Sequence, residues 1–511
     1  MTCLLPRWLC RWLLSSTSIA ISSAITIAFA IAPTMTLARE TAPQLGALPT
    51  VVAAALKRAQ VDIKDASFYA QPVDSTSALI AVNETQSLIL ASTTKLVTTL
   101  AALDLLGPHF RWRTSAYLTG ALKDGRLNGD LVLVGGGDPL LTAEQLTQWF
   151  ARMRKRGLND IGGNMVIDRQ LFRFKPNDFA NLPKPSWENG HHVNPDAMVF
   201  NEGVIEVTVK SDAMGLPTVT LSPTIDSIKI AANLVPVMRC GERKRQVSVV
   251  WDEAQTTIKV NGNWAPDCEP QRAEILALDH TQMGHAVVRA AWAAVGGRLS
   301  GTVIEREPVL ERSQAQSKAH DKSPYKSVAR RLFASHESAP LTYTIKTMNK
   351  WSNNLIARNL FLSLAHDFPR RPVTLTMAQE AMRNWLIARG FQSDAIALDN
   401  GSGLSRQERG QSIAMARLLI DAWHSRVSKV FVDSLPIAGI DGTLTTRMST
   451  STVAGSAYMK TGSISEVRAL AGYVRAASGK TYAVIGNVNE ADAARSIPAL
   501  DAFVEWVFNN G

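Results

Sequence analysis

Apolar residues recur at two different spacings along this chain, and the changes of spacing divide it. Helical spacing is predicted over Ala47–Ala59, and after Ser92 through Leu96, Leu100 and Leu103 up to a Gly107-Pro108 stop. It returns over Ala143–Arg156, with Leu146, Phe150 and Met153 on one face, and over Thr281–Val295 before Gly296-Gly297. Strands are predicted at Ala66–Gln71 and Ala78–Asn83, then at Tyr117–Leu122 and Arg126–Val134 around the hairpin signal Asp124-Gly125. Short alternating runs follow at Met165–Asp168, Val204–Lys210, Val219–Ser222, Ser227–Ala231, Val247–Trp251 and Thr256–Val260, separated by loops rich in proline and asparagine. Ser313–Lys326 is polar and has no aliphatic cluster, so a mobile loop is expected there.

From Leu341 the helical period resumes: Leu341–Met348, a helix after Ser352 carrying Leu355, Ile356 and Leu360, then Met377–Arg389 and Ser412–Ser425. Three strands close the chain, Ala457–Thr461, Val467–Ala476 and Thr481–Asn489, with Gly479 as a turn. A last helix from Ala493 to Phe508 is interrupted near Pro498. The pattern is that of an α+β unit, helices against an antiparallel sheet, interrupted by a strand-rich module inserted after the Ser92 helix. The expected division is 39–115 and 306–511 for the catalytic unit and 116–305 for the insertion, which is one or two domains.

The N-terminus changes this picture. Arg7 and Arg11 precede an uncharged run from Trp12 to Met35, and Thr36-Leu37-Ala38 puts small residues at −3 and −1 before Arg39. Residues 1–38 therefore read as a cleaved secretory signal, directing the protein to the periplasm. An uncleaved anchor is the alternative, since the run is long enough to span a bilayer. The remaining composition, 46% hydrophobic and 19% charged over 511 residues, is that of a soluble globular protein.

The net charge of +10 becomes +8 once Arg7 and Arg11 are removed. Its densest groups, Arg152–Arg156 on a helix face and Arg243–Arg245 in a turn, have no interleaved aromatics, which argues against nucleic acid as a partner. The charge suits an anionic envelope polymer or peripheral association with a membrane. Of four cysteines, Cys3 and Cys10 belong to the signal. Cys240 and Cys268 are a candidate disulfide, worth roughly 3–4 kcal/mol by loop entropy, with two buried thiols as the alternative. No metal site is expected: His191-His192 are adjacent, so they share no face, and no HExxH pattern occurs.

The chemistry starts from Ser92-Thr93-Thr94-Lys95 at a helix entrance. Residues three apart share a helix face, so an unprotonated Lys95 reaches the Ser92 hydroxyl and can take its proton. Alone the spacing says little, because Ser323 and Lys326 share it. Two further segments add weight: Ser352-Asn353-Asn354 between two helices, where Ser352 also fits an N-cap, and Lys460-Thr461-Gly462 on a predicted strand. Together, in this order, they are the signature of active-site serine penicillin-recognising enzymes.

From Leu48 to Phe508 the chain resembles the class C low-molecular-mass penicillin-binding proteins, the D-alanyl-D-alanine carboxypeptidases/endopeptidases of the peptidase S13 type. Besides the three motifs, the resemblance rests on Gly135-Gly136-Gly137-Asp138-Pro139, on Met348–Asn354, on Asn400-Gly401-Ser402-Gly403-Leu404-Ser405 and on Gly439–Leu444. The 257 positions between Lys95 and Ser352 leave room for the long insertion of this family, which a compact β-lactamase lacks. The resemblance implies a serine β-lactamase/transpeptidase-like fold, and peptidoglycan peptides ending in D-Ala-D-Ala, or D-amino-acid cross-bridges, as substrates. It also implies β-lactams as covalent inhibitors, and no cofactor.

Ser92 would be the nucleophile, Lys95 its base, Lys460 a nearby cation, Ser352 a proton relay and Asn354 a holder of the substrate amide. Lys460 and Thr461 would bind the terminal carboxylate, Gly462 would let the strand approach the ligand, and the N–H groups of Ser92 and Ser463 would form an oxyanion hole. Ser402, in a glycine-rich loop without the G-x-S-x-G frame, reads as structural. Arg358 departs from the family pattern, standing where relatives usually carry an acid. The alternatives are a serine β-lactamase or esterase on the same fold, and a catalytically silent wall-binding protein.

Overall fold

A five-stranded antiparallel sheet is assembled from the two ends of the chain, in the order Ile80–Val82, Ala66–Pro72, Thr481–Asn489, Val467–Arg475, Ala457–Ile464. The computed structural model describes residues 48–180, 182, 186, 192–240, 247–306, 330–370 and 372–511. The predicted signal, the Arg243–Arg245 turn and the Ser313–Lys326 loop lie outside the described residues.

Both faces of this sheet are covered, so its strands are apolar nearly throughout. Side chains alternate between faces. Ala66, Phe68 and Ala70 point toward the helices Thr50–Arg58 and Ile497–Asn510, where Phe68 meets Phe503 edge-on at 5.1 Å. Tyr69, Tyr473 and Ile485 face the opposite layer, in which Tyr473 donates its hydroxyl to Leu419 O of the helix Ser412–Trp423 at 2.6 Å. Pro498 does not break the last helix. It stands at the start, where its missing N–H has no partner to lose, after a short 3-10 turn at Ala493–Ser496.

The intervening chain leaves this unit through Arg113–Leu118 and returns through Arg331–Glu337, and these two strands pair antiparallel, Arg113 opposite Glu337. Between them lie the predicted strand Met165–Asp168 and the helix Ala143–Lys155, entered by a Thr142/Gln145 capping box. The predicted Tyr117–Leu122 and Arg126–Val134 strands are each split. Ala121–Lys123 and Arg126–Asn128 form the Asp124-Gly125 hairpin in one sheet, while Arg113–Leu118 and Leu131–Val134 pair in another. The split falls at Gly120 and Gly129, where a Cβ on Gly120 would lie 1.9 Å from Asn128 O. Gln271–Ile275 and Arg331–Glu337 are strands not expected from the sequence: the first alternates but is short and has only Ala273 and Ile275 as apolar positions, and the second does not alternate. Cys240 and Cys268 are bonded, with Cα atoms 5.1 Å apart.

Candidate active site

Ser92 lies in a 3-10 turn, Ala91–Thr93, that runs into the helix Thr94–Leu105. The spacing predicts a place in the helix's first turn; tertiary packing moves it one step earlier. Ala91 takes φ +44°, a left-handed conformation that costs an alanine about 1–2 kcal/mol. Two glycines close on this turn. A Cβ on Gly403 would lie 2.0 Å from Ala91 O and 2.6 Å from Ser92 N, and one on Gly462 would lie 2.9 Å from Leu90 O. Gly462 thus packs closely against the turn that carries Ser92.

Lys95 is completely buried, one helical turn beyond Ser92. Its Nζ has three partners: Ser92 Oγ at 3.1 Å, Asn354 Oδ1 at 2.7 Å and the Ser402 carbonyl at 2.5 Å. The last two accept only. A neutral amine therefore spends its two N–H groups on Asn354 and Ser402, and its lone pair is left facing the Ser92 hydroxyl. Burial holds the Lys95 pKa well below the usual lysine range, the Lys460 cation lowers it further, and Glu408 opposes them.

Ser352 and Asn354 are placed by a helix break. The helix Leu341–Trp351 ends on Ser352 at φ +60°, and Asn354 opens the next helix, Asn354–Leu362. The capping role that Ser352 also fitted belongs to Asn353, whose Oδ1 accepts from Ile356 N at 2.9 Å. The other end of Asn353 donates to Glu202 Oε2, a residue of the inserted segment. Glu202 is pushed up to about 7 by burial and by the Glu274 carboxylate.

Lys460 arrives on the edge strand Ala457–Ile464 and donates to Ser352 Oγ at 2.7 Å and to Thr461 O at 2.8 Å. Burial lowers its pKa to about 7. Thr461 Oγ1 lies 2.9 Å from Thr443 Oγ1, and Ser463 is exposed two residues further along. Thr443 follows Asp441, which accepts from Lys350 Nζ at 2.6 Å and so ties this loop to the helix that ends at Ser352.

Several participants have no signal in the periodicity. Ser402 acts through its carbonyl, while its hydroxyl donates to Asn400 Oδ1 at 2.5 Å. Glu408 is fully buried behind the same loop. Arg358 is also buried, donating to Val193 O at 2.5 Å and to Asn354 O at 3.3 Å, and burial brings its pKa down to about 10. The Gly-Ser-Gly and Gly-Thr tracts flag these loops as turns, but the groups that matter are carbonyls and side chains aimed at distant backbone.

An antiparallel sheet between helical layers, with a serine–lysine pair at a helix entrance beside its edge strand, is the architecture of the penicillin-recognising serine enzymes. The sequence profile of the D-Ala-D-Ala carboxypeptidase 3 (S13) family matches residues 48–507. The chain is 24% identical over 431 residues to D-alanyl-D-alanine carboxypeptidase DacB of Haemophilus influenzae, covering 83% of this chain and 85% of the relative. It is 26% identical over 420 residues to the D-alanyl-D-alanine carboxypeptidase of Actinomadura sp., covering 79% and 74%. The crystal structure of penicillin-binding protein 4 from H. influenzae superposes with a TM-score of 0.69 at 22% identity, covering 90% of this chain and 99% of the other. The protein thus belongs to the D-Ala-D-Ala carboxypeptidase 3 (S13) family, the class C low-molecular-mass penicillin-binding proteins, as a serine-type D-Ala-D-Ala carboxypeptidase.

Proposed function

We propose that the protein is an exported periplasmic enzyme of the cell wall that cleaves D-alanyl-D-alanine ends, and D-amino-acid cross-bridges, through an acyl-enzyme on Ser92. Among the described residues no helix is long and apolar enough to cross a membrane. The observation that carries the proposal is the convergence of Ser92, Asn354 and Ser402 O on one buried Lys95 amine.

The neutral Lys95 takes the Ser92 proton as Oγ bonds to the substrate carbonyl carbon. The developing oxyanion is received by the N–H groups of Ser92 and Ser463, a donor of this kind being worth about 2.7–4 kcal/mol. The proton Lys95 took passes by way of Ser352, already bonded to Lys460, to the departing nitrogen as the C–N bond breaks, so D-alanine leaves and Lys95 is neutral again. Water then releases the acyl group from Ser92, with Lys95 again as the base. Lys460 and Thr461 hold the terminal carboxylate, whose arrival favours the ammonium form of Lys460. No step calls on a metal or an organic cofactor. The inserted segment reads as a separate module spanning about 116–305, seated on the Asn354–Leu362 helix through Glu202 and Val193.

A β-lactam with the same carboxylate and strained amide is expected to acylate Ser92; a crystal structure of the H. influenzae relative is in complex with one. The test is Ser92→Ala, read by covalent labelling with a fluorescent penicillin and by mass analysis of digested muropeptides. Both labelling and D-alanine release are expected to vanish. Full labelling of the variant, or turnover of penicillin too fast to trap an acyl-enzyme, overturns the proposal.

A further inference from the structure

Glu408 is 0% exposed, and its carboxylate meets four backbone N–H donors. Its Oε1 accepts the backbone N–H of Gly401 at 2.6 Å, Asn400 at 3.0 Å and Asp399 at 3.3 Å, and its Oε2 that of Gly403 at 2.5 Å. A protonated carboxyl would need an acceptor for its own O–H, and these four partners offer none, so the arrangement fits the carboxylate. Glu408 also holds the nucleophile segment directly, since its backbone carbonyl accepts from Leu90 N at 2.9 Å, two residues before Ser92.

The loop gathered around this carboxylate touches the site at three points. Ser402 O receives Lys95 Nζ, Gly401 O receives the Thr98 hydroxyl at 2.8 Å, and Gly403 lies against Ala91 and Ser92. The charged groups felt by Lys95 are Lys460 and Arg358, both cations, and Glu408, which opposes them. Burial raises the Glu408 pKa and the Asp399 carboxylate adds to this, while the N–H groups of Asn400, Gly401 and Gly403 pull it back down; Lys95 and Arg358 are of opposite sign. Two desolvated cations would otherwise surround the general base with nothing to offset them.

We infer that Glu408 is a positioning residue for acyl transfer: its carboxylate clamps the 399–403 loop onto the nucleophile turn and sets a negative charge beside Lys95 and the buried Arg358 guanidinium. The inference rests on the proposed roles of Ser92 and Lys95, and it adds a residue that never touches substrate. It has two separable consequences. Removing the charge while keeping the shape lowers the proton affinity of Lys95. Shortening the side chain while keeping the charge slackens the loop and leaves that affinity in place.

The test is the rate of acylation by a fluorescent penicillin, measured by stopped flow between pH 4 and pH 9 on the wild type, Glu408→Gln and Glu408→Asp. In Glu408→Gln the acidic midpoint is expected to move down by about one pH unit or more, as for loss of a nearby charge. In Glu408→Asp the midpoint is expected to stay while the rate falls about tenfold or more through lost positioning. An unmoved midpoint in Glu408→Gln, or equal shifts in the two variants, overturns the electrostatic part. A wild-type rate in Glu408→Asp overturns the positioning part, and this variant alone decides it if Glu408→Gln does not fold. Either failure leaves acylation at Ser92 intact, whereas failure of the functional proposal is read from labelling of Ser92→Ala.

Discussion

Gly403→Ala puts a single methyl group into the contact that holds the nucleophile. Gly403 has φ +87°, so an alanine there carries a left-handed backbone cost of about 1–2 kcal/mol. The larger effect is steric. The new Cβ would lie 2.0 Å from Ala91 O, and an ordinary contact of more than 3 Å requires a retreat of roughly 1 Å or more. Both sides of the contact are backbone, so no side chain can rotate away. If the loop retreats by that distance, the 2.5 Å bond from Lys95 Nζ to Ser402 O opens to about 3.5 Å and ceases to be a hydrogen bond. Lys95 then loses one of the two acceptors that aim its lone pair at Ser92. A misplacement of this size costs about 100-fold in rate, or about 2.7 kcal/mol of barrier. The assay is acylation by a fluorescent penicillin under stopped flow, paired with a thermal melt to separate folding from chemistry. The expected result is a folded variant, less stable by about 2 kcal/mol and acylated about 100-fold more slowly. Acylation within twofold of wild type would refute the view that this loop sets the base.

Three other outcomes are expected. Lys460 loses its ammonium proton as pH rises through about 7, so kcat/KM for a peptide ending in free D-alanine should fall above that pH, with an amide-ended analogue far less affected; a flat profile from pH 7 to 9 counts against carboxylate binding by Lys460. Thr443→Val removes the partner of the Thr461 hydroxyl and should raise KM for the acid about fivefold, the worth of about 1 kcal/mol, with Thr443→Ser restoring it; equal KM in all three excludes the pair from recognition. Joint replacement of Cys240 and Cys268 by serine opens a loop of separation 28 and should cost about 3–4 kcal/mol of stability without changing the acylation rate, whereas an unchanged melting temperature would show that the bond contributes nothing.

What the sequence determined by itself is what acts over a few residues. The three-residue step from Ser92 to Lys95, the near-continuous apolar runs of Val467–Arg475 and Thr481–Asn489, and the Asp-Gly hairpin are each set by the helix period, by residue type or by local turn preference. One-residue choices were less legible. Ser352 and Asn353 are both good caps, and only the helix break decides that Asn353 caps while Ser352 turns left-handed and presents its hydroxyl to Lys460.

The tertiary structure alone decided which distant groups share Lys95. Asn354 lies 259 positions away and the Ser402 carbonyl 307, and no periodicity encodes such a meeting. The pairing of Arg113–Leu118 with Arg331–Glu337 has the same origin: a polar strand forms there because the fold presents it with an edge to pair with. Glu408 is the clearest case. By pattern it is an ordinary acidic residue in a polar turn, and its character comes from four N–H groups and buried cations that meet only when the chain has closed around it. Local order follows from backbone geometry, while desolvation and charge in the site exist only once remote segments have excluded water together.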